Sequence, residues 1–207
     1  MPVSASNARN LWRSAKFMRW FIFFLIAILG TIGDLITKHL FVPVFVDSSG
    51  ELSIVPGNIH PHIFPSVMQF NPVLNKGIIW GLFQQGSILF LIIPALAVPL
   101  IILMFKYINL FSEEKHPGNP ASESPVRMNL LLTIAFGLIL AGALGNLYDR
   151  IVYGAVRDFI DFYIINWPIF NLADTYITIG AGLIIISLFI KPKPDIQAVN
   201  SPPEEKI

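Results

Sequence analysis

The sequence predicts an all-α polytopic membrane protein with four transmembrane helices and a small β-rich cap on its outer face. Two observations support this fold class. Hydrophobic residues make up 54% of the 207 residues and charged residues only 13%, and the mean hydropathy is +0.66, which is more apolar than a typical soluble domain. In addition, four apolar stretches each reach the length of about 20 residues that a helix needs to cross a bilayer.

The four apolar stretches place the expected spans at about 17–40, 87–107, 128–148 and 172–190. Basic residues precede the first stretch, as in a signal peptide, but no small-residue cleavage site follows it, and we therefore expect an uncleaved helix. Pro94 and Pro99 lie in the second stretch, where neighbouring helices and water can satisfy the carbonyls that they free. We expect residues 1–207 to form a single membrane domain.

The distribution of Lys and Arg predicts the orientation of these spans. Ten of the 14 basic residues lie on the side that holds both termini, and four lie on the other side. Because cytoplasmic segments carry the excess of positive charge, both termini are expected in the cytoplasm, together with a loop at about 108–127 and a tail at 191–207. The segments 41–86 and 149–171 are then expected on the outer face.

The outer segment 41–86 differs from the cytoplasmic loop in its residue pattern. Short β-branched and aromatic runs, such as "FVPVFV" and "LSIV", alternate with turn-forming residues. This pattern is typical of short strands joined by tight turns. It predicts the small sheet-like cap on the outer membrane surface.

Several function classes are excluded or unsupported by composition. The chain contains no cysteine and has a formal net charge of +1 without a basic stripe, so disulfides, thiol nucleophiles and nucleic-acid binding are not expected. The sequence has no H-E-x-x-H motif, and its "HPH" run lies in a Pro-rich loop. No metal and no organic cofactor are expected.

Short polar motifs interrupt the apolar sequence at the outer ends of the spans. In "DLITK", Asp34 precedes Lys38 by four residues, the favourable order for an ion pair within a helix, with Lys38 reaching outward to the interface. In "NKGIIWGLF", Asn75 can donate and accept hydrogen bonds and Gly77 permits a turn. Each motif taken alone is explained by structure.

Two further motifs lie at the end of the third span and the start of the fourth. "GALGNLYDR" places polar groups about one turn apart at Asn146, Asp149 and Arg150. In "FNLAD", Asn171 is a candidate N-cap for the fourth helix, with Asp174 in its first turn, where a carboxylate stabilises the helix N-terminus. Close packing by small residues can bring these helix ends together.

The convergence of these motifs on one membrane face favours a functional site over separate structural caps. Seven acids lie on the outer side, namely Asp34, Asp47, Glu51, Asp149, Asp158, Asp161 and Asp174. A small transporter or a non-enzymatic scaffold remains an alternative. Transporters place ionisable groups near the bilayer midplane, however, whereas the charged groups here lie at span ends.

The motifs "DLITK", "NKGIIWG", "GNLYDRIVYGAVRDFIDF" and "FNLADT", in this order among four spans, resemble lipoprotein signal peptidase, also called signal peptidase II. The resemblance covers the chain from about Asp34 to Thr175. It implies an aspartic endopeptidase of the bacterial cytoplasmic (inner) membrane with its active site at the outer face. Its substrates would be prolipoproteins, cleaved just before a cysteine that carries diacylglycerol, and the enzyme would act as a monomer among membrane lipids.

The resemblance also implies roles for individual residues. The catalytic pair falls on Asp158 and Asp174, whereas Asp161 matches no catalytic position. The other motif positions are expected to bind substrate or support the site: Asp34, Lys38, Asn75, Gly77, Asn146, Asp149, Arg150, Asn171 and Ala173. Two carboxylates that share one proton can act as base and acid in amide hydrolysis.

Overall fold

In a computed structural model, the chain forms four long helices and four short strands within the part that the structure describes. That part comprises residues 5–55, 67–77, 88–114 and 124–190, with side chains described for 13–55, 67–77, 88–110 and 130–190. The helices are α1 (Ala5–Phe41), α2 (Leu89–Glu114), α3 (Ser124–Tyr153) and α4 (Leu172–Phe189). Each is long and apolar enough to cross a membrane, which confirms the prediction of a mostly helical protein with four candidate spans.

Some expected segments lie partly or wholly outside the described residues. The expected cap includes 56–66 and 78–86, the expected cytoplasmic loop includes 115–123, and the expected tail is 191–207. The helices extend beyond their expected ends, because α2 reaches Glu114 and α3 begins at Ser124. The two sides of the expected loop are therefore helical in the structure.

Helix α3 is the centre of the bundle, packs against α1, α2 and α4, and is the most buried of the four spans. Phe23 of α1 stacks on Phe105 of α2, with ring centroids 4.1 Å apart and planes 9° apart. Both rings pack with Phe136 and Leu140 of α3 in one apolar cluster. Large apolar side chains on α1, α2 and α4 are exposed, as expected for surfaces that face lipid.

Small residues bring α4 close to α3. A Cβ atom at Gly142 would collide with the carbonyl oxygen of Ala173, and one at Gly180 would lie 2.6 Å from the carbonyl oxygen of Ala135. Glycine at these positions allows backbone contact that a larger side chain would prevent. The N-terminus of α4 is thereby held beside the C-terminal half of α3.

Two small antiparallel sheets accompany the bundle. Strands β1 (Val44–Val46) and β2 (Leu52–Ile54) pair with each other, and β3 (Gln69–Asn75) pairs with β4 (Val156–Asp161). The first three strands lie in the segment for which the sequence predicts a sheet. Strand β4 is not predicted by that pattern, because its only partner in the paired sheet comes from a distant part of the chain.

A tight turn connects α3 to β4. Gly154 has φ +64, a left-handed conformation that glycine adopts without steric cost. Its backbone N–H donates to the carbonyl of Arg150 at 3.2 Å, which closes the last turn of α3. Strand β4 therefore begins immediately beside the end of α3 and pairs with β3, with Val73 opposite Asp158.

Candidate functional site

Asp158 lies on β4 and is only 2% exposed. Its two carboxylate oxygens accept hydrogen bonds from two different amides: Oδ1 from Asn171 Nδ2 at 2.6 Å and Oδ2 from Asn75 Nδ2 at 3.0 Å. Gly77 donates its backbone N–H to Asn75 Oδ1 at 3.0 Å, which leaves the NH₂ group of Asn75 facing the acid. The end of β3 and the start of α4 thus hold this carboxyl from two sides.

Asp174 lies in the first turn of α4 and forms a capping box with Asn171. Asn171 Oδ1 accepts from the backbone N–H of Asp174 at 3.0 Å, and Asp174 Oδ2 accepts from the backbone N–H of Asn171 at 3.3 Å. Asn171 is the N-cap of α4, as the sequence predicts. The other oxygen of Asp174, Oδ1, accepts from Asn146 Nδ2 at 2.8 Å.

Asn146 connects the two acids through its side-chain amide. Its Oδ1 accepts from Asn171 Nδ2 at 3.0 Å and from Lys38 Nζ at 2.9 Å. Because both partners of this oxygen are donors, the NH₂ group must be the part that faces Asp174. Asn171 donates to Asp158 as well, so a continuous chain of hydrogen bonds runs from one acid to the other.

Behind Asn146 lies a buried ion pair between Asp34 and Lys38. Lys38 Nζ is 2.7 Å from Asp34 Oδ2, and both side chains have no exposed surface. The prediction that Lys38 reaches outward to the interface is wrong. Its ammonium instead stays inside because carboxylates and an amide oxygen from two helices replace water as its partners.

Asp34 also joins α1 to the start of α4. Its Oδ1 accepts from the backbone N–H of Ala173 at 2.9 Å, which satisfies one of the free donors at the N-terminus of that helix. Gly145 of α3 faces the same carboxylate, and a Cβ atom there would collide with Asp34 Oδ2. Three helices therefore meet at this one acid.

Asp149 extends the buried charges towards β4. Lys38 Nζ is 3.5 Å from Asp149 Oδ2, and Arg157 Nη2 is 2.7 Å from Asp149 Oδ1. Asp149 has no exposed surface and Arg157 is 2% exposed. Two acids and two bases thus form a buried network, in which each charge has an opposite charge beside it.

Arg150 lies near the two acids and is partly buried. Its Nη1 donates to the carbonyl of Asn146 at 3.0 Å, and its guanidinium carbon lies 4.3 Å from the centroid of the Phe90 ring. The guanidinium also interacts electrostatically with Asp174 and Asp158. It supplies positive charge to the site and is less deeply buried than Lys38.

The environment of Asp158 raises its pKa to about 7. Burial is the main cause, and the negative charge of Asp174 is the second. Hydrogen bonds from Asn75 and Asn171 and the charge of Lys38 lower the pKa and only partly offset these causes. Near neutral pH, Asp158 therefore holds a proton for much of the time.

The structure brings together the residues that the sequence predicts for the site, and it adds Arg157 through its contacts with Asp149. The sequence does not indicate this residue, because an arginine before a candidate acid gives no signal that its partner lies eight residues earlier in a helix. Asp161 points elsewhere: its Oδ2 accepts from Gln69 Nε2 at 2.8 Å and from Asn71 Nδ2 at 3.2 Å. It joins β4 to the start of β3.

This fold and site define a polytopic membrane protein in which two acids at one end of the helix bundle accept hydrogen bonds from side-chain amides. The family model described as signal peptidase (SPase) II matches residues 26–190. The chain therefore belongs to the signal peptidase II family, which is a family of aspartic-type peptidases that process lipoprotein signal peptides in bacterial membranes.

Individual relatives agree with this assignment. A lipoprotein signal peptidase of Microcystis aeruginosa is 34% identical over 171 residues, covering 83% of this chain and 92% of the relative. One from Gloeothece citriformis is 34% identical over 183 residues, covering 88% and 96%. One from Yersinia pestis is 61% identical over a shorter match of 73 residues, covering 34% and 43%.

Solved structures show the same fold. A bacterial membrane enzyme solved by the in meso method at 2.3 Å resolution superposes with a TM-score of 0.56 at 28% identity, covering 89% of this chain and 93% of that one. A second, solved by the same method at 1.9 Å, has a TM-score of 0.55 at 29% identity, covering 84% and 94%.

Proposed function

We propose that this chain is an aspartic endopeptidase that removes signal peptides from diacylglyceryl-modified prolipoproteins, with Asp158 and Asp174 as its catalytic pair. Cleavage occurs just before the lipidated cysteine. The observation that carries the proposal is the amide chain between the two acids, in which Asn171 donates to Asp158 and caps Asp174 while Asn146 donates to Asp174. Acids that lie sixteen residues apart in sequence thereby become one site.

The raised pKa of Asp158 assigns the two acids different roles at neutral pH. Two carboxylates close together in a poorly hydrated site do not both ionise easily. With its pKa of about 7, Asp158 carries the shared proton and acts as the acid. Asp174, whose oxygens accept from Asn146 and from a helix N-terminus, acts as the base.

The hydrolysis then proceeds without a metal or an organic cofactor. Asp174 takes a proton from a water molecule, and the water oxygen forms a bond to the carbonyl carbon before the lipidated cysteine. Asp158 hydrogen-bonds the resulting oxyanion and gives its proton to the leaving nitrogen as the carbon–nitrogen bond breaks. The pair ends the cycle with one proton, now on Asp174, and proton exchange with water restores the starting state.

Neighbouring polar groups position the substrate. Arg150 and Asn75 border the acids, and they can bind peptide carbonyls of an extended substrate on the side away from the buried network. Orienting the scissile bond in this way contributes to catalysis because the reacting atoms are held close together. Diacylglyceryl chains would lie against the apolar surface that continues from the helices.

The proposed arrangement in the membrane follows from charge and exposure. The excess of Lys and Arg near the termini supports a cytoplasmic location for both ends of the chain, with the acids at the outer face of the inner membrane. Exposed apolar residues on the helices support direct contact with lipids. We also propose a single membrane domain that acts as a monomer, since the two acids and their amide donors lie within hydrogen-bonding distance of one another in one chain.

Cleavage of a lipidated prolipoprotein by purified variants tests this function. Asp158→Asn and Asp174→Asn should each abolish cleavage, because neither can exchange the shared proton, while the protein still folds. Asp161→Asn is the matched control and should stay largely active, because the remaining oxygen of its amide can still accept from Gln69 and Asn71. Full activity in either of the first two variants would rule out the proposed pair.

A further inference from the structure

We propose that Arg157 is a positioning residue that aims Asp158 at the reacting peptide bond by clamping β4 to the end of α3. The inference rests on the proposed function, because it concerns the placement of a carboxyl that is taken as catalytic. The side chain of Arg157 does not contact Asp158 or Asp174 but faces Asp149. Its effect passes through the strand that it shares with Asp158 and through the charge of Asp149.

Asp149 holds Arg157 by its backbone and its side chain together. The backbone N–H of Arg157 donates to Asp149 Oδ2 at 2.9 Å. Its Nε lies 3.2 Å and 3.3 Å from Oδ1 and Oδ2, and its Nη2 donates to Oδ1 at 2.7 Å. A guanidinium is the cation whose planar fork matches both oxygens of a carboxylate.

Aromatic packing fixes the guanidinium from another side. The Arg157 guanidinium carbon lies 4.4 Å from the centroid of the Tyr153 ring. Tyr153 is the last residue of α3, so the ring and Asp149 hold the same side chain from one helix end. The hydrogen bonds to Asp149 and the contact with the Tyr153 ring together leave the Arg157 side chain little rotational freedom.

The geometry of a strand transmits this fixed position to the acid. Consecutive side chains in a strand point to opposite faces, so turning Arg157 towards α3 turns Asp158 towards Asn75 and Asn171. Strand β4 pairs with β3, and Phe170 exchanges backbone hydrogen bonds with Phe159 and Ile160, after the acid. The contact of Arg157 with Asp149 attaches β4 to α3 at the position directly before the acid.

The same guanidinium leaves Lys38 available to the other acid. Asp149 carries one negative charge and has two cations beside it, Arg157 at 2.7 Å and Lys38 at 3.5 Å. Without Arg157, the buried carboxylate would have only the ammonium left and would draw it closer. Asn146 would then lose one of the two donors that orient its amide towards Asp174.

Loss of the contact between Arg157 and Asp149 should lower the pKa of Asp158. The charged groups that act on Asp158 are Asp174 on α4, Arg150 on α3 and Lys38 on α1. The two largest causes of its raised pKa are burial and Asp174, and both weaken when the carboxyl leaves its place. The pKa should therefore fall, although the loss of amide donors and the movement of Lys38 towards Asp149 offset part of the change.

The test compares Arg157→Met and Arg157→Lys with Arg13→Met, which removes an arginine that is exposed on α1. Each full-length variant is purified in lipid nanodiscs, and cleavage of a diacylglyceryl prolipoprotein peptide is measured across pH. In Arg157→Met, kcat should fall by about tenfold or more, and the alkaline limb of the pH profile should move to lower pH. Arg157→Lys should recover part of the lost kcat and part of the shift in the alkaline limb, because an ammonium can still pair with Asp149.

Each outcome decides the inference. A fall in kcat with the alkaline limb unmoved would assign Arg157 to stability alone, since a smaller folded fraction does not change a pH profile. A kcat and an alkaline limb in Arg157→Met equal to those of Arg13→Met would also overturn the proposal. If Arg157→Met does not fold, Arg157→Lys gives the same two readouts at smaller size. Activity in Asp158→Asn, by contrast, would overturn the proposed function itself.

Discussion

Lys38 donates a hydrogen bond from Nζ to Asn146 Oδ1 at 2.9 Å, and this bond connects the buried ion network to the two acids of the site. The ammonium is held at the same time by Asp34 at 2.7 Å. Asn146 passes the constraint on by donating to Asp174 at 2.8 Å. The side-chain amide of Asn146 therefore couples the electrostatics of the bundle interior to the geometry of the acid pair.

Lys38→Met should be strongly destabilising and should abolish cleavage. The substitution leaves Asp34 as a buried carboxylate without its closest cation, which costs about 3 to 5 kcal/mol, and it removes the donor that orients Asn146. Thermal unfolding and cleavage of the purified variant measure the two effects. Lys106→Met is the matched control, because Lys106 is exposed on α2 and its loss should change stability by no more than about 0.5 kcal/mol.

A double variant separates the two roles of Lys38. Asp34→Asn combined with Lys38→Met removes one charge of each sign, so less buried charge is left unpaired and part of the lost stability should return. Cleavage should not return, because Asn146 Oδ1 still lacks its ammonium donor. Recovery of both stability and activity would show that Lys38 serves only to neutralise Asp34.

The pH profile of kcat/KM should have an alkaline limb near pH 7. Below this pH, Asp158 keeps its proton, and the pair can hold the single proton that the mechanism needs; above it, both acids are ionised and cleavage is lost. The pKa of about 7 sets this position. Asn75→Ala removes a hydrogen bond that lowers the pKa, so the limb should move to higher pH. A shift to lower pH would contradict the assigned role of Asn75.

The sequence predicts the four spans and the polar helix ends well, because both depend on local patterns. Bilayer length sets the apolar stretches, and helix capping sets the relation of Asn171 to Asp174. The burial of Lys38 and the ion pair of Asp149 with Arg157 are not local. They depend on how closely α1, α3 and β4 approach, which no periodicity in one segment reveals.

Strand β4 shows the same limit for backbone structure. Its six residues, "VRDFID", alternate poorly between apolar and polar, and five of them are buried, so a period of two is not visible in the sequence. The strand exists because β3 lies beside it and because Gly154 turns the chain at the end of α3. Asp158 is positioned by this pairing and not by a helix, which motif spacing alone does not indicate.

Gly145→Ala should reduce cleavage although alanine favours helices. In an open helix position the change would stabilise by about 1 kcal/mol, but here the new Cβ would collide with Asp34 Oδ2. The displaced carboxylate would loosen both Lys38 and the N-terminus of α4. Cleavage should therefore fall by about tenfold or more, as measured with the lipidated peptide.

Gly182→Ala is the control for the glycine prediction. Gly182 lies in α4, and a Cβ atom there would meet nothing within 4 Å. Its activity should match the unsubstituted chain, and its thermal stability should be equal or slightly higher. Equal activity of Gly145→Ala and Gly182→Ala would show that the tight approach of α3 to Asp34 has no part in the site.

Substitutions of Asn171 should separate its helix cap from its amide donor. Asn171→Asp and Asn171→Ser both keep an oxygen that can accept from the backbone N–H of Asp174, so each should retain most of the stability that a cap contributes, about 1 kcal/mol. Both lose the NH₂ group that donates to Asp158 and Asn146. Cleavage should therefore fall in both variants. Stability should fall less in Asn171→Ser than in Asn171→Asp, whose added carboxylate is buried beside two others.

The aspartate variant should differ from the serine variant in its pH dependence. A third carboxylate beside Asp158 adds negative charge and removes a donor, and both changes raise the pKa of Asp158. The alkaline limb of residual cleavage should then lie at higher pH in Asn171→Asp than in Asn171→Ser, whose substitution removes the donor without adding charge. Identical limbs in the two variants would mean that position 171 caps α4 but does not set the protonation of the acid pair.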